Sequence, residues 1–87
     1  MHEDPFIQKL RDILERHLGD ENFGVTELAR EVGLSRSQLH RRLKAINGKS
    51  TSLFIREYRL SRALEMLEGN VATVSEIAYK AGFRSPT

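Results

Sequence analysis

Residues 25–48 read VTELAREVGLSRSQLHRRLKAING and contain two short helical patterns on either side of one glycine. The first pattern ends at Gly33, a residue type that takes the left-handed conformation at helix ends without strain. The second begins at Ser35, and Gln38 three positions later completes a capping box of the Ser-x-x-Gln type. Gly48 ends this second pattern. Two helices joined by so short a turn form a helix-turn-helix unit.

The chain carries the first part of this unit a second time, with Val74 standing 49 positions after Val25. Thr73 opens another capped helix, which we expect to end at Gly82. Ser85 followed by Pro86 is a strong helix start, and the sequence stops one residue later, so we expect the second unit to be incomplete. The matched positions pair Val25, Glu27, Leu28, Ala29, Gly33 and Leu34 with Val74, Glu76, Ile77, Ala78, Gly82 and Phe83.

Two further helices are predicted around these units. Asp4 and Pro5 form an N-cap and first-turn pair, and the helical apolar spacing that follows runs to Gly19. The other helix is expected to follow its cap at Ser50 and to run over about residues 51–68. The chain is therefore predicted to be all-α, with no strand pattern competing with the helical one.

The helix over residues 51–68 has two apolar faces, and such a helix needs a packing partner on each side. Phe54, Ile55 and Tyr58 share one face. The nearly opposite face carries Leu53, Leu60, Ala63, Leu64 and Leu67. We therefore interpret this helix as a connector between two bodies. The predicted parts are helix one plus the first helix-turn-helix unit (1–49), the connector helix (50–70) and the start of the second unit (71–87).

Charge is distributed unevenly, although the net charge is only +2. Residues 1–31 hold four Lys or Arg against eight Asp or Glu, residues 32–56 hold six against none, and residues 57–87 hold four against four. A wholly basic stretch inside an otherwise acidic or neutral chain favours a polyanionic partner. The alternative is a solvated, positively charged helix face.

The basic helix, about residues 35–46, has an apolar face and a polar face. At 100° per residue, Leu39, Leu43 and Ile46 fall together and are expected to face the core. Arg42 lies on the flank, where its stem can cover apolar surface. A helix in the major groove contacts base edges with two or three side chains, which we predict to be Ser37, His40 and Arg41. Phosphate contacts are predicted for Ser35, Arg36, Lys44 and Lys49.

Catalysis and cofactor binding are not expected. The chain has no cysteine, and no carboxylate stands at metal-ligand spacing beside His2, His17 or His40. His17 is instead expected at a helix C-terminus, where the helix dipole favours it. No stretch is apolar enough to span a membrane, no membrane contact is expected from this segment, and the N-terminus lacks a signal-peptide pattern, so we expect a cytoplasmic protein.

The segments FGVTELAREVGLSRSQLHRRLKAINGKS, FIREYRLSRALEMLEGN and VSEIAYKAGFRSPT resemble the DNA-binding domain of AraC-type transcriptional regulators (AraC/XylS). The resemblance covers the chain from about Phe6 to Thr87. It implies two helix-turn-helix units on a central helix, with recognition helices in neighbouring major-groove segments of double-stranded DNA. It also implies that Ser37, His40 and Arg41 face the bases.

Similarity to the output domains of bacterial hybrid two-component sensors implies a sensor or receiver domain upstream, and dimerisation through the parent protein or through the exposed C-terminal end. The resemblance further implies that the chain stops before its second recognition helix.

A different hypothesis is a protein–protein interaction module that uses a tri-helical fold, as a fold alone does not determine function. That hypothesis predicts an apolar exposed face on the third helix.

Overall fold

The computed structural model describes residues 3–69 and 73–83. The helix expected to begin at Ser85 and Pro86 therefore lies outside the described residues. The described part contains five α-helices and no strand, as the all-α prediction required. They are α1 (Pro5–Arg16), α2 (Val25–Val32), α3 (Arg36–Asn47), α4 (Thr51–Glu68) and α5 (Val74–Lys80).

Side-chain caps begin four of these helices. Asp4 Oδ1 accepts a hydrogen bond from the Phe6 amide at 2.8 Å, and Ser35 and Ser50 accept from the amides three residues ahead. Thr73 does the same for the amide of Glu76. Each cap satisfies an amide that has no partner inside its helix, so these boundaries follow from local sequence.

The end of α1 differs from the prediction. The helix stops at Arg16 with His17 as its C-cap, three residues before Gly19. The His17 ring stacks on Phe23, with 4.1 Å between the ring centroids, while the chain turns toward α2. Carbonyl groups of this turn accept hydrogen bonds from Arg59, which is distant in sequence. Helix periodicity cannot predict such a long-range contact.

The core lies where α1, α2, α3 and the first half of α4 meet. Leu10, Leu28, Leu39 and Leu43 are fully buried there. Ile46 is 38% exposed, so the prediction that it faces the core was wrong. Its angular position matches that of Leu39 and Leu43, but burial also requires a neighbouring element beside the last turn of α3.

The two units repeat down to individual backbone hydrogen bonds. The Leu34 amide donates to the Ala29 carbonyl at 3.0 Å, and the Phe83 amide donates to the Ala78 carbonyl at 2.9 Å. The intervening glycine has a φ of 73° in the first unit and 87° in the second. The duplication seen in the sequence therefore produces the same helix end twice.

The connector helix α4 buries only one of its two apolar faces within the described residues. Phe54 and Ile55 are buried in the core. Helix α5 contacts α4, while the other face of α4 is 44–58% exposed among the described residues. The exposed leucines are Leu53, Leu60, Leu64 and Leu67.

A buried arginine on α4 joins the two units instead. Arg59 is 7% exposed and donates four hydrogen bonds to backbone carbonyl groups. Three of these carbonyls belong to the turn between α1 and α2, and the fourth follows α5. They are those of Leu18 (2.9 Å), Asp20 (3.2 Å), Phe23 (2.7 Å) and Ala81 (3.2 Å).

Candidate nucleic-acid interface

Helix α3 presents a polar, positively charged face to solvent. Leu39 and Leu43 fix the opposite face in the core. The residues predicted to contact bases, Ser37, His40 and Arg41, are all exposed. The structure therefore brings these three side chains together on one accessible side of one helix.

The N-terminus of α3 is organised by Ser35. Its Oγ accepts a hydrogen bond from the Gln38 amide at 3.1 Å, and its own amide donates to Gln38 Oε1 at 2.9 Å. The predicted phosphate role of this serine therefore has to come from the helix end that it caps. The amides of Arg36 and Ser37 have no acceptor inside the helix and are available to an anion.

Four cations of the basic stretch form neither an ion pair nor a ring contact in the described part of the chain. Within residues 3–69 and 73–83, Arg36, Arg41 and Lys44 are exposed and have no carboxylate within 4.0 Å. A fourth, Arg56, is likewise exposed and unpaired, and sequence reasoning did not select it. The signal was available, because Arg56 belongs to the same stretch of six cations without an anion.

Two other cations of this stretch are already engaged. Lys49 forms an ion pair with Glu57, so it is not the free point charge that the sequence suggested. The guanidinium of Arg42 lies 4.0 Å from the centroid of the Phe6 ring and covers that apolar surface, as its flanking position predicted. Any anion that engages Lys49 has to compete with Glu57.

A cleft of about 750 Å³ lies between the exposed face of α3 and the N-terminus of α4. No Asp or Glu lines it, while two arginines and one histidine do. Such a surface attracts anions because no carboxylate offsets its positive charge. Its lining residues are Val25, Arg36, Ser37, His40, Arg41, Ser50, Thr51 and Ser52.

Two acidic side chains beside α1, Glu15 and Glu31, form ion pairs with neighbouring cations. Arg62 donates to both carboxylate oxygens of Glu15, at 2.8 and 3.2 Å, and Tyr58 donates to the same carboxylate. The hydrogen bond from Arg62 lowers the pKa of Glu15, and burial together with Glu15 raises the pKa of Tyr58 to about 12. Glu31 lies 3.6 Å from both Arg16 and His17. Glu15 and Glu31 are thus paired with cations, whereas Arg36, Arg41 and Lys44 of the basic stretch are not.

The described ranges contain no cluster of His, Cys, Asp and Glu side chains suited to a metal ion. None of the described helices is long and apolar enough to cross a membrane. The interaction-module hypothesis predicted an apolar outer face on α3, yet that face carries Ser37, His40, Arg41 and Lys44. Fold and surface together define a helix-turn-helix domain with a nucleic-acid-binding face.

Comparison with known protein families also identifies a helix-turn-helix domain. A family model described as a helix-turn-helix domain matches residues 28–87, and one described as a bacterial regulatory protein of the Fis family matches residues 9–45. The chain is 36% identical over 84 residues to histidine kinase P4 of Formosa agariphila, which covers 97% of this chain and 6% of that protein. It is also 36% identical over 70 residues to the HTH-type transcriptional activator RhaS of Escherichia coli, with 80% and 25% covered. The chain therefore spans a quarter or less of these relatives.

Two solved structures have the same fold. The C-terminal domain of AraT, a response regulator from Geobacillus stearothermophilus, matches 98% of this chain and 70% of its own with a TM-score of 0.80 at 21% identity. The DNA-binding domain of AdpA, a global transcriptional factor crystallised with a target DNA, matches with a TM-score of 0.76 at 30% identity and coverages of 97% and 74%. The chain belongs to the family of AraC-type helix-turn-helix DNA-binding domains.

Proposed function

We propose that α3 enters the major groove of double-stranded DNA and that Ser37, His40 and Arg41 contact the bases. The observation that carries this proposal is the exposure of these three side chains on one unpaired basic face. Arginine suits guanine because its planar fork matches two acceptors on one base edge. His40 can donate to or accept from a base, and Ser37 is too short to specify much.

Phosphate contacts fall to the flanks of α3. Arg36 and Lys44 are free to act as point charges, which orient a protein on the duplex without specifying sequence. Ser35 acts through the helix end that it caps, where backbone amides point outward. Lys49 joins them when a phosphate displaces Glu57 from its ammonium group.

The parent protein is proposed to be a bacterial transcription regulator that acts in the cytoplasm by binding DNA, without a catalytic step in this segment. Support comes from the family, from RhaS as a transcriptional activator and from the AdpA complex with DNA. The match to a histidine kinase supports a sensor or receiver domain in the parent, and dimerisation is proposed to occur through the parent. Residues 1–49 are the first recognition unit, residues 50–70 the connector, and residues 71–87 belong to the second unit.

A salt titration tests this function. Fluorescence anisotropy with a random duplex of about 20 base pairs, at salt concentrations between about 50 and 200 mM, measures the dependence of affinity on salt. Lys44→Ala is expected to weaken binding to every sequence and to reduce the slope of log affinity against log salt by about 1. Lys9→Ala, an exposed lysine on α1, is the matched control and should leave the slope unchanged. Affinity that does not depend on salt would contradict the proposal.

A further inference from the structure

A threonine with an unsatisfied hydroxyl lies between α3 and α4. Thr51 is 2% exposed and lines the cleft between these helices. Its Oγ1 is buried and has no hydrogen-bond partner, and it is the sole such side-chain atom in the part of the chain that the structure describes. A buried hydroxyl without a partner destabilises a fold, so its presence at a cleft points to a partner that arrives with a ligand.

The N-terminus of α4, the longest helix described, also lines this cleft. Ser50 Oγ accepts from the Leu53 amide at 3.2 Å, and the Ser50 carbonyl accepts from the Phe54 amide at 3.0 Å. The two amides before them, those of Thr51 and Ser52, have no acceptor within the helix. An 18-residue helix adds its dipole, which favours negative charge at this end.

Charge across the cleft favours an anion as well. Arg36, His40 and Arg41 line the cleft on the α3 side, and no carboxylate lines it. The N-terminus of α2 differs, because Glu27 Oε1 accepts from the Gly24 amide at 2.9 Å and already places a carboxylate there. The α4 terminus is therefore the better anion site of these two.

We propose that a phosphodiester group of the bound duplex is held at the N-terminus of α4 by the amides of Thr51 and Ser52. The Ser52 hydroxyl donates to the same phosphate, and the Thr51 hydroxyl finds its missing partner in the bound complex. This site rests on the proposed function, since it holds the DNA backbone beside the bases that α3 contacts. It would fix the position of α3 in the groove through an element outside the helix-turn-helix unit.

Adding a negative charge at Ser52 tests the site, and the chain offers a matched control. Ser52 and Ser75 are both exposed and are both the second residue of a helix, but only Ser52 lies at the cleft. Ser52→Asp is expected to weaken binding of a random duplex about tenfold relative to Ser75→Asp, because a carboxylate repels the phosphate. Equal affinities of the two variants would overturn the proposal.

Thr51→Val separates binding from folding. Valine keeps the shape of threonine and removes the unsatisfied hydroxyl, so the urea midpoint of the free chain should stay equal or rise. Affinity for the duplex should nevertheless fall about threefold, as one hydrogen bond to a charged group is lost. A purely structural role predicts instead that stability and affinity change in the same direction, and that result would overturn the proposal.

A titration with inorganic phosphate distinguishes failure of this site from failure of DNA binding. The amide NMR signals of Thr51 and Ser52 should shift in the wild-type chain and not in Ser52→Asp. If the wild-type chain binds no duplex, the proposed function fails, and these shifts alone decide whether the anion site exists. If it binds duplex and these amides do not respond to phosphate, DNA binding stands and the site is refuted.

Discussion

Gly33 and Gly82 end equivalent helices in the two units, yet their surroundings differ. Both have a positive φ, and both precede an apolar residue whose amide closes the same hydrogen bond. A Cβ on Gly33 would meet nothing within 4 Å, whereas a Cβ on Gly82 would lie 1.4 Å from Nη1 of Arg59 and 2.3 Å from the Leu18 carbonyl oxygen. The first glycine serves its own turn, and the second also makes room for a side chain from α4.

This difference shows how each unit is held in place. The first unit is stabilised by its own apolar core, in which Leu28 and Leu39 from its two helices are fully buried. The described helix of the second unit contacts α4 and buries Ile77, and Arg59 links the Ala81 carbonyl to the turn between α1 and α2. Similar local sequence therefore yields the same helix end in both units, while Arg59, which is distant in sequence, links the second unit to the turn between α1 and α2.

The largest expected effect comes from removing that connection. Arg59→Met should destabilise the chain by about 3–5 kcal/mol, because buried carbonyl groups lose their donor. Urea unfolding measures the loss. Hydrogen exchange should show that residues 18–23 and 74–83 lose more protection than α3.

Arg62→Met is the matched control on the same helix. Arg62 is partly exposed and pairs with Glu15 and Glu65, so its loss should cost less than about 1 kcal/mol. Arg59→Lys should not restore wild-type stability, since an ammonium group cannot serve four carbonyls spread over two segments. Full stability of Arg59→Lys would refute the role assigned to the guanidinium.

The next effect separates the two glycines. Gly33→Ala should cost about 1–2 kcal/mol, the strain of a left-handed alanine in open space. Gly82→Ala should cost about 3 kcal/mol or more, because the methyl group adds a clash to the same strain. Urea unfolding of both variants measures the difference. Equal costs would show that Arg59 does not occupy the space beside Gly82.

A double-mutant cycle tests the packing of Arg59 against Gly82. If Arg59 fills the space that Gly82 leaves, Gly82→Ala should be less damaging in the Arg59→Met background than in the wild type. Gly33→Ala should cost the same in both backgrounds, since nothing lies within 4 Å of its added Cβ. Additive effects at Gly82 would contradict the packing described.

Local signals explain which parts of the fold were predictable. Helix starts at Asp4, Ser35, Ser50 and Thr73 were confirmed because each cap acts on an amide two or three residues ahead. The repeat was confirmed as well, because the hydrogen bond that ends each helix also joins residues close in sequence. The all-α fold and the family could be predicted because the caps and apolar spacing that define each helix lie among residues close in sequence.

Long-range contacts explain the rest. Periodicity placed Ile46 on the apolar face of α3 but could not tell that no element covers its turn. Lys49 is predicted from the sequence to be a point charge for phosphate, and its ion pair with Glu57 forms only because α4 folds back beside it. The role of Arg59 was not predicted, since nothing in the sequence around it shows that folding brings four carbonyl groups together. The roles of Ser37, His40 and Arg41 in contacting bases remain predictions that depend on a DNA complex.

The role of α3 as the recognition helix is tested most directly by selecting preferred duplexes from a random pool, with the wild-type chain and with Arg41→Ala. If α3 reads the major groove, the wild type enriches a guanine-containing site, and Arg41→Ala loses about 1–3 kcal/mol of discrimination at one base pair. Arg16→Ala, at the end of α1, should enrich the same sequences as the wild type. An unchanged sequence preference in Arg41→Ala would contradict the assignment of α3 as the recognition helix.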